Sequence, residues 1–280
     1  ADAISGCRES TDPGGERKMA GKKQDKPSPQ AGLPADDAHP SLSAKDYAKA
    51  LQPLQYLMRS ISLSYRRQGL RAVIAIEGSD AAGKGGAIRR MTAELDPRHY
   101  DVWPIGPPTA EELKHHYLWR FWQRLPERGQ VGIFDRSWYG RVLVERVDSL
   151  TTETRWREAY AEIRNFETAL IDDGVRLVKI YLHVSAGEQR DRLAQRVKTP
   201  HKQWKISAAD FRNFMQRDRY IEAATEMLDE CSTDAAPWHV VAADDKNHAR
   251  IAILETVTDA LRKNVDLTPL PLDADTLRLA

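Results

Sequence analysis

An apolar run, Ala72-Val73-Ile74-Ala75-Ile76, leads directly into Gly78-Ser79-Asp80-Ala81-Ala82-Gly83-Lys84-Gly85-Gly86, and no other segment restricts the fold so strongly. A buried strand that turns through glycines into a helix aims backbone N–H groups and the positive helix end at one point, which suits an anion. Gly78, Ala82, Gly83, Gly85 and Gly86 are the candidate phosphate-binding positions, and Lys84 adds a point charge. A tight turn of no chemical use would need the glycines alone, whereas strand, turn, lysine and helix here occur in register. The spacing is that of a G-x-x-x-x-G-K phosphate loop, yet Gly85 stands where such loops carry the Ser or Thr that ligates Mg²⁺. Another group must then hold the metal, and Asp80 inside the loop is the first candidate.

Along the chain, β-rich runs near 71–77, 100–105, 130–134, 175–183 and 238–242 alternate with helical patterns near 84–95, 109–124, 155–172, 187–197, 207–229 and 247–263. Leu54, Leu57, Met58, Ile61 and Tyr65 mark one further amphipathic helix, expected to begin near Pro53 and close at Gly69. Alternation of this kind predicts an α/β fold: a three-layer parallel sheet with helices on both faces. Residues 1–40 carry few large apolar side chains and are expected to be a disordered tail, with Met19 a possible alternative start. Residues 41–270 form the expected single domain and 271–280 a C-terminal tail.

Lys plus Arg total 42 against 41 for Asp plus Glu, so net charge gives no reason to expect a nucleic-acid binder, and any polyanion site must be local. Cys7 and Cys231 form neither a C-x-x-C pair nor a disulfide framework. With no apolar run of 18 residues and no signal-peptide core, the chain reads as cytoplasmic and without membrane association.

Val131-Gly132-Ile133-Phe134-Asp135-Arg136 is an apolar strand ending in an acid. In an open parallel sheet, ligands bind beyond the carboxyl ends of strands, so Asp135 is expected to face the same crevice as the phosphate loop. Asp80 and Asp135 would then share Mg²⁺, for which Mn²⁺ can substitute, and Arg136 would neutralise charge on a transferring phosphoryl group. The plainer reading of Asp135, a helix cap or a solvated strand end, is the weaker one, and weaker still beside Asp80. From Arg190 to Lys205 the chain carries Arg190, Arg192, Arg196, Lys198, Lys202 and Lys205 against Asp191 alone. Such a run is commonly a solvated face, but Pro200 and Trp204 among the lysines suggest a mobile loop between helices, a lid over phosphates at about 190–210.

Three segments together carry a resemblance: Glu77 to Arg90, Phe134 to Arg146 (Phe-Asp-Arg-Ser-Trp-Tyr-Gly-Arg-Val-Leu-Val-Glu-Arg), and the Lys198–Ser207 lid. In this order they resemble the polyphosphate kinase 2 family, over about Tyr47 to Val265. The resemblance implies a P-loop kinase fold similar to thymidylate kinase, with inorganic polyphosphate as donor and a purine nucleotide as acceptor. It further implies that Lys84 grips the polyphosphate end, that Asp80 and Asp135 bind Mg²⁺, and that Arg136 steadies the transferred group. Arg190, Arg196, Lys198, Lys202 and Lys205 of the lid would line the polyphosphate channel. Gly140, Arg141 and Val142 resemble members that raise AMP to ADP, so AMP is the expected acceptor. ADP or GDP as acceptor, and an ATP-dependent nucleotide kinase, are the alternatives. AMP members are often two fused copies, whereas this chain carries one; a homo-oligomer, dimer or tetramer, is the expected assembly.

Arg141 and Glu145 are candidate nucleotide contacts, or equally an i, i+4 ion pair. Aromatics in the 114–123 helix have core spacing rather than that of a base-stacking site, and adjacent His115 and His116 argue against a metal pair. Trp103 to Pro108 is either a wall of the acceptor pocket or a rigid loop.

Overall fold

The computed structural model describes residues 32–34, 40–269, 271 and 274–279, so the disorder expected for most of 1–40 lies outside the described residues. In chain order the elements are α1 (Ala44–Gln68), β1 (Arg71–Gly78), α2 (Lys84–Met91), β2 (Tyr100–Pro104), α3 (Trp119–Trp122), β3 (Val131–Asp135), α4 (Val144–Val147), α5 (Glu153–Asp172), β4 (Val175–His183), α6 (Ala186–Lys198), α7 (Ala208–Met215), α8 (Arg217–Cys231), β5 (Trp238–Ala242), α9 (Lys246–Arg262) and α10 (Ala274–Leu279). The five strands form one parallel sheet in the order β2-β3-β1-β4-β5.

Alternation along β1 divides the core in two. Ala72, Ile74 and Ile76 pack with Met58, Ile61 and Tyr65 of α1, Ile88 of α2 and Ile253 of α9. Val73 and Ala75 face the opposite cluster, built from Phe121, Trp138, Ile163, Phe166 and Met227. The sheet is therefore buried on both faces, as expected for parallel strands covered by helices. Because β1 pairs with β3 on one side and β4 on the other, the loops leaving β1 and β3 part at their carboxyl ends and open a crevice there.

Three elements differ from the sequence expectation. α1 begins nine residues before Pro53: Ser43 caps it, accepting from the Asp46 N–H and donating to the Asp46 carboxylate, while Pro53 lies on the exposed side. The 109–124 segment is not one helix. Thr109 and Glu112 bond reciprocally and nucleate a short 3-10 turn, Glu112–Lys114. His115 then turns extended and stacks on Trp119 at 4.1 Å, and Glu112 points inward to Arg120 and Arg124 at 3.3 and 2.8 Å. An inward carboxylate with two arginine partners overrides the apolar period there. Finally, the expected 207–229 helix bends at Gln216, whose side chain reaches Asp148, and continues as α8.

Gly78 ends β1 at φ +137°, and a Cβ there would stand 2.4 Å from the Leu182 carbonyl oxygen of β4. Backbone cannot yield as a side-chain tip can. Gly78→Ala should therefore lower stability by roughly 2–3 kcal/mol through strain and clash, measured as a fall in Tm of about 5–10 °C. An unchanged Tm would show that β1 and β4 separate without cost.

Candidate functional site

The phosphate loop is held in a conformation that local sequence alone does not favour. Gly78, Ala81 and Gly83 all have positive φ, and Ala81, at +63°, does so against its own Cβ. The surrounding bonds hold it there. Arg192, 5% exposed, donates to the carbonyls of Ala81 and Ala82 and to those of Ala243 and Asp244, while its Nε meets Glu188 at 2.6 Å. Gln189 donates to the Asp80 carbonyl. Arg192, one of the cations in the basic run, is thus a strut under the loop rather than a surface contact.

Lys84, the first residue of α2, is buried and folds back so that Nζ donates to the carbonyls of Gly78 and Ser79 at 2.6 and 3.1 Å. Burial and the neighbouring charge of Arg136 push its ammonium pKa down, against the opposing pull of Asp80, Asp135 and Glu77. Asp80 accepts from Arg136 on one carboxylate oxygen at 2.6 Å and from Asn213 of α7 on the other at 2.7 Å. Burial alone would raise the Asp80 carboxyl. The charges of Lys84 and Arg136 and the bond from Asn213 outweigh it, and its pKa lies below the usual carboxylate value.

Asp135 is level with Ile76 in the sheet register, at the carboxyl end of β3. Among the described residues its carboxylate makes no hydrogen bond or ion pair, and one oxygen lies 3.9 Å from where a Cβ on Gly85 would stand. The missing loop hydroxyl at 85 thus faces a carboxylate. Two hard oxygen donors, one of them without a protein partner, beside a phosphate loop are a donor set that fits Mg²⁺. Arg136 itself sits at φ +66°, with its N–H donating to the Ile76 carbonyl.

Of these groups, Asp80 and Arg136 open onto a cavity of about 620 Å³ that includes space open to solvent. Its wall combines Gly140, Leu143 and Val144 with Arg136, Asn213, Arg217 and Tyr220. Arg141 and Glu145 do not line it: they form an i, i+4 ion pair at 2.8 Å, with the Arg141 guanidinium over Tyr117. Nor does the 103–108 segment, whose Ile105 N–H is tied to the Asp135 carbonyl and whose Gly106 carbonyl accepts from Arg120. Phe121 belongs to the core, and His115 and His116 turn to different glutamates, Glu111 and Glu162.

The cationic segment expected to be a lid carries regular structure between its helices. Pro200–Lys205 forms a 3-10 helix, with Gln203 donating to the Val197 carbonyl and Trp204 to that of His201. Arg196 turns inward to the Lys205 carbonyl and lies 3.7 Å from Asp210. Arg190, Lys198 and Lys205 are exposed, and Lys202 is half-buried. Sequence reasoning missed Glu77, Asn213 and Arg217, which reach the site from β1, α7 and α8. Arg90 and Arg250 each come within 3.9 Å of where a Cβ on Gly86 would stand. Glu77 lies one residue before the loop and was within reach; Asn213 is 133 residues from Asp80 and has no local signature.

The polyphosphate kinase 2 family profile matches residues 41–267. The chain belongs to that family. Within polyphosphate kinase 2, it is 47% identical over 223 residues to a protein of Pseudomonas syringae pv. tomato named polyphosphate:AMP phosphotransferase, covering 79% of this chain and 45% of the relative. It is 37% identical over 227 residues to ADP-polyphosphate phosphotransferase 3 of Rhizobium meliloti, covering 81% and 80%. The chain spans less than half the length of its polyphosphate:AMP relatives. A crystal structure of polyphosphate kinase 2 from Arthrobacter aurescens TC1 superposes with a TM-score of 0.79 at 32% identity, covering 85% of this chain and 87% of that one. One from Pseudomonas aeruginosa gives 0.78 at 44%, covering 80% and 48%. The fold is the P-loop kinase-like α/β fold of these neighbours.

Proposed function

We propose that the protein transfers a phosphoryl group from inorganic polyphosphate to a purine nucleotide in the cytoplasm, with AMP the preferred acceptor. The observation that supports this reading is the cluster of interacting charges of Asp80, Lys84, Asp135 and Arg136 at the phosphate loop, with Asp80 and Arg136 lining one cavity, in a chain of this family. Asp80 and Asp135 would hold Mg²⁺, which when bound offsets negative charge on the phosphates. Lys84 exchanges its loop carbonyls for phosphate oxygens, and the loop N–H groups orient the donor end. Arg136 stands beside Asp80 where it can stabilise charge on the group in flight. Leu143 and Val144 offer an apolar wall to a base, and Arg217 a cation to a phosphate. The exposed lysines of the lid give the rest of the polyanion a cationic surface. The higher identity to relatives named for AMP than to those named for ADP favours AMP.

Incubation with Mg²⁺ and long-chain polyphosphate plus AMP, ADP, GMP or GDP in turn, with chromatography of the nucleotides, tests this. ADP from AMP should be the fastest product. Turnover with ATP as donor but none with polyphosphate would replace the proposal with an ATP-dependent nucleotide kinase.

A further inference from the structure

We infer that Glu77 is a positioning residue for phosphoryl transfer: it fixes the left-handed turn that delivers Arg136 to Asp80. The inference rests on the role of Arg136 proposed above.

Glu77 is 4% exposed at the end of β1. A carboxylate so deep is costly unless its oxygens are satisfied. Its Oε1 accepts two bonds from one residue, the Ser137 N–H at 2.7 Å and the Ser137 hydroxyl at 2.8 Å. Ser137 directly follows Arg136, whose φ of +66° costs a non-glycine residue about 1–2 kcal/mol. The turn must therefore be held from outside. On one side the Arg136 N–H donates to the Ile76 carbonyl at 3.0 Å, and on the other Ser137 is tied to Glu77. Ile76 and Glu77 are consecutive, and the Arg136 side chain reaches Asp80 three residues farther along the same chain. Backbone before the turn, backbone after it and the guanidinium are thus all referenced to one stretch, 76–80. Without the Glu77 acceptor, the Ser137 end is released and the turn can relax toward ordinary φ, swinging the guanidinium away. Burial raises the Glu77 carboxyl pKa, opposed by Ser137, Lys84 and Arg136. Both bonds fall on a single oxygen, so the amide oxygen of glutamine can replace it.

A double-mutant cycle on the whole chain, with AMP and polyphosphate, tests the inference. Glu77→Ala should lower kcat by about 30- to 100-fold with KM for both substrates moving less than about threefold. Glu77→Gln should restore kcat to within about threefold of the parent, as an acceptor role requires and a charge role does not. In an Arg136→Ala background, Glu77→Ala should cost less than about threefold more, because its effect passes through Arg136. A merely structural glutamate would cost the same factor in both backgrounds. Equal losses in the two backgrounds, or Glu77→Gln as poor as Glu77→Ala, would overturn the inference. If Glu77→Ala does not fold, Ser137→Ala, which removes the hydroxyl bond and spares the main-chain one, decides by the same cycle. It should lose roughly five- to tenfold in the parent and little in Arg136→Ala. Full activity of Arg136→Ala alone would instead sink the role of Arg136 itself, an outcome distinct from failure of Glu77.

Discussion

Asp135→Asn should lower turnover by at least about 10³-fold, a loss of roughly 4 kcal/mol of transition-state stabilisation, while leaving Tm within about 2 °C of the parent. The asymmetry follows from what the carboxylate touches. Among the described residues it holds no hydrogen bond or ion pair, so an isosteric amide disturbs no packing and orphans no partner. Its field, however, acts on both Lys84 and Arg136, and its position facing Gly85 makes it the free oxygen donor of the crevice. Asp80→Asn is a less discriminating experiment, because that carboxylate also anchors Arg136 and Asn213, and its loss would loosen α7 and the loop together. Steady-state kinetics with polyphosphate and AMP, alongside thermal unfolding, checks the prediction. Near-normal turnover would remove Asp135 from the proposed metal site; a large fall in Tm would mean that it carries structural load.

How far the sequence alone reached can be judged from the residues around this carboxylate. The strand runs ending at Gly78 and Asp135 were legible because a parallel strand buried on both faces needs a continuous apolar run, which periodicity detects. The phosphate loop was legible because glycine and lysine spacing encodes a local backbone shape. Asn213 and Arg217 were not, since their positions come from a tertiary approach of α7 to the loop after β1 and of α8 to the end of β4. The same limit explains the 109–124 segment, where Glu112 is buried by arginines 8 and 12 residues away and helical spacing of aromatics misled. For the lid, composition marked a cationic stretch but could not separate Arg192, buried under the loop, from exposed Lys198. Arginine at a buried position looks the same in sequence as arginine on a surface. The Ser-Trp-Tyr that follows Arg136 carries a similar lesson: it marks the family, yet its Trp and Tyr face the core.

Those two aromatics lead to the largest stability effect expected in the molecule. Trp138 and Tyr139 both donate to one oxygen of Glu167, at 3.0 and 2.6 Å, while its other oxygen accepts from Lys179 at 2.7 Å. Lys179 is 0% exposed in β4 and also donates to the Tyr139 hydroxyl and the Cys231 carbonyl. Every donor of the ammonium therefore has an acceptor. Lys179→Met keeps the volume but leaves Glu167 buried without its cation, which should cost about 3–5 kcal/mol. In a chain of this size that is a fall in Tm of roughly 10 °C or more. Adding Glu167→Gln removes the stranded charge and keeps an acceptor for Trp138 and Tyr139, so the double variant should recover more than half of the loss. Thermal unfolding of parent, both single variants and the double variant reads both effects. A Lys179→Met variant as stable as the parent would show that Glu167 finds water or another cation, and that the pair does not hold the turn carrying Trp138 and Tyr139 against the sheet.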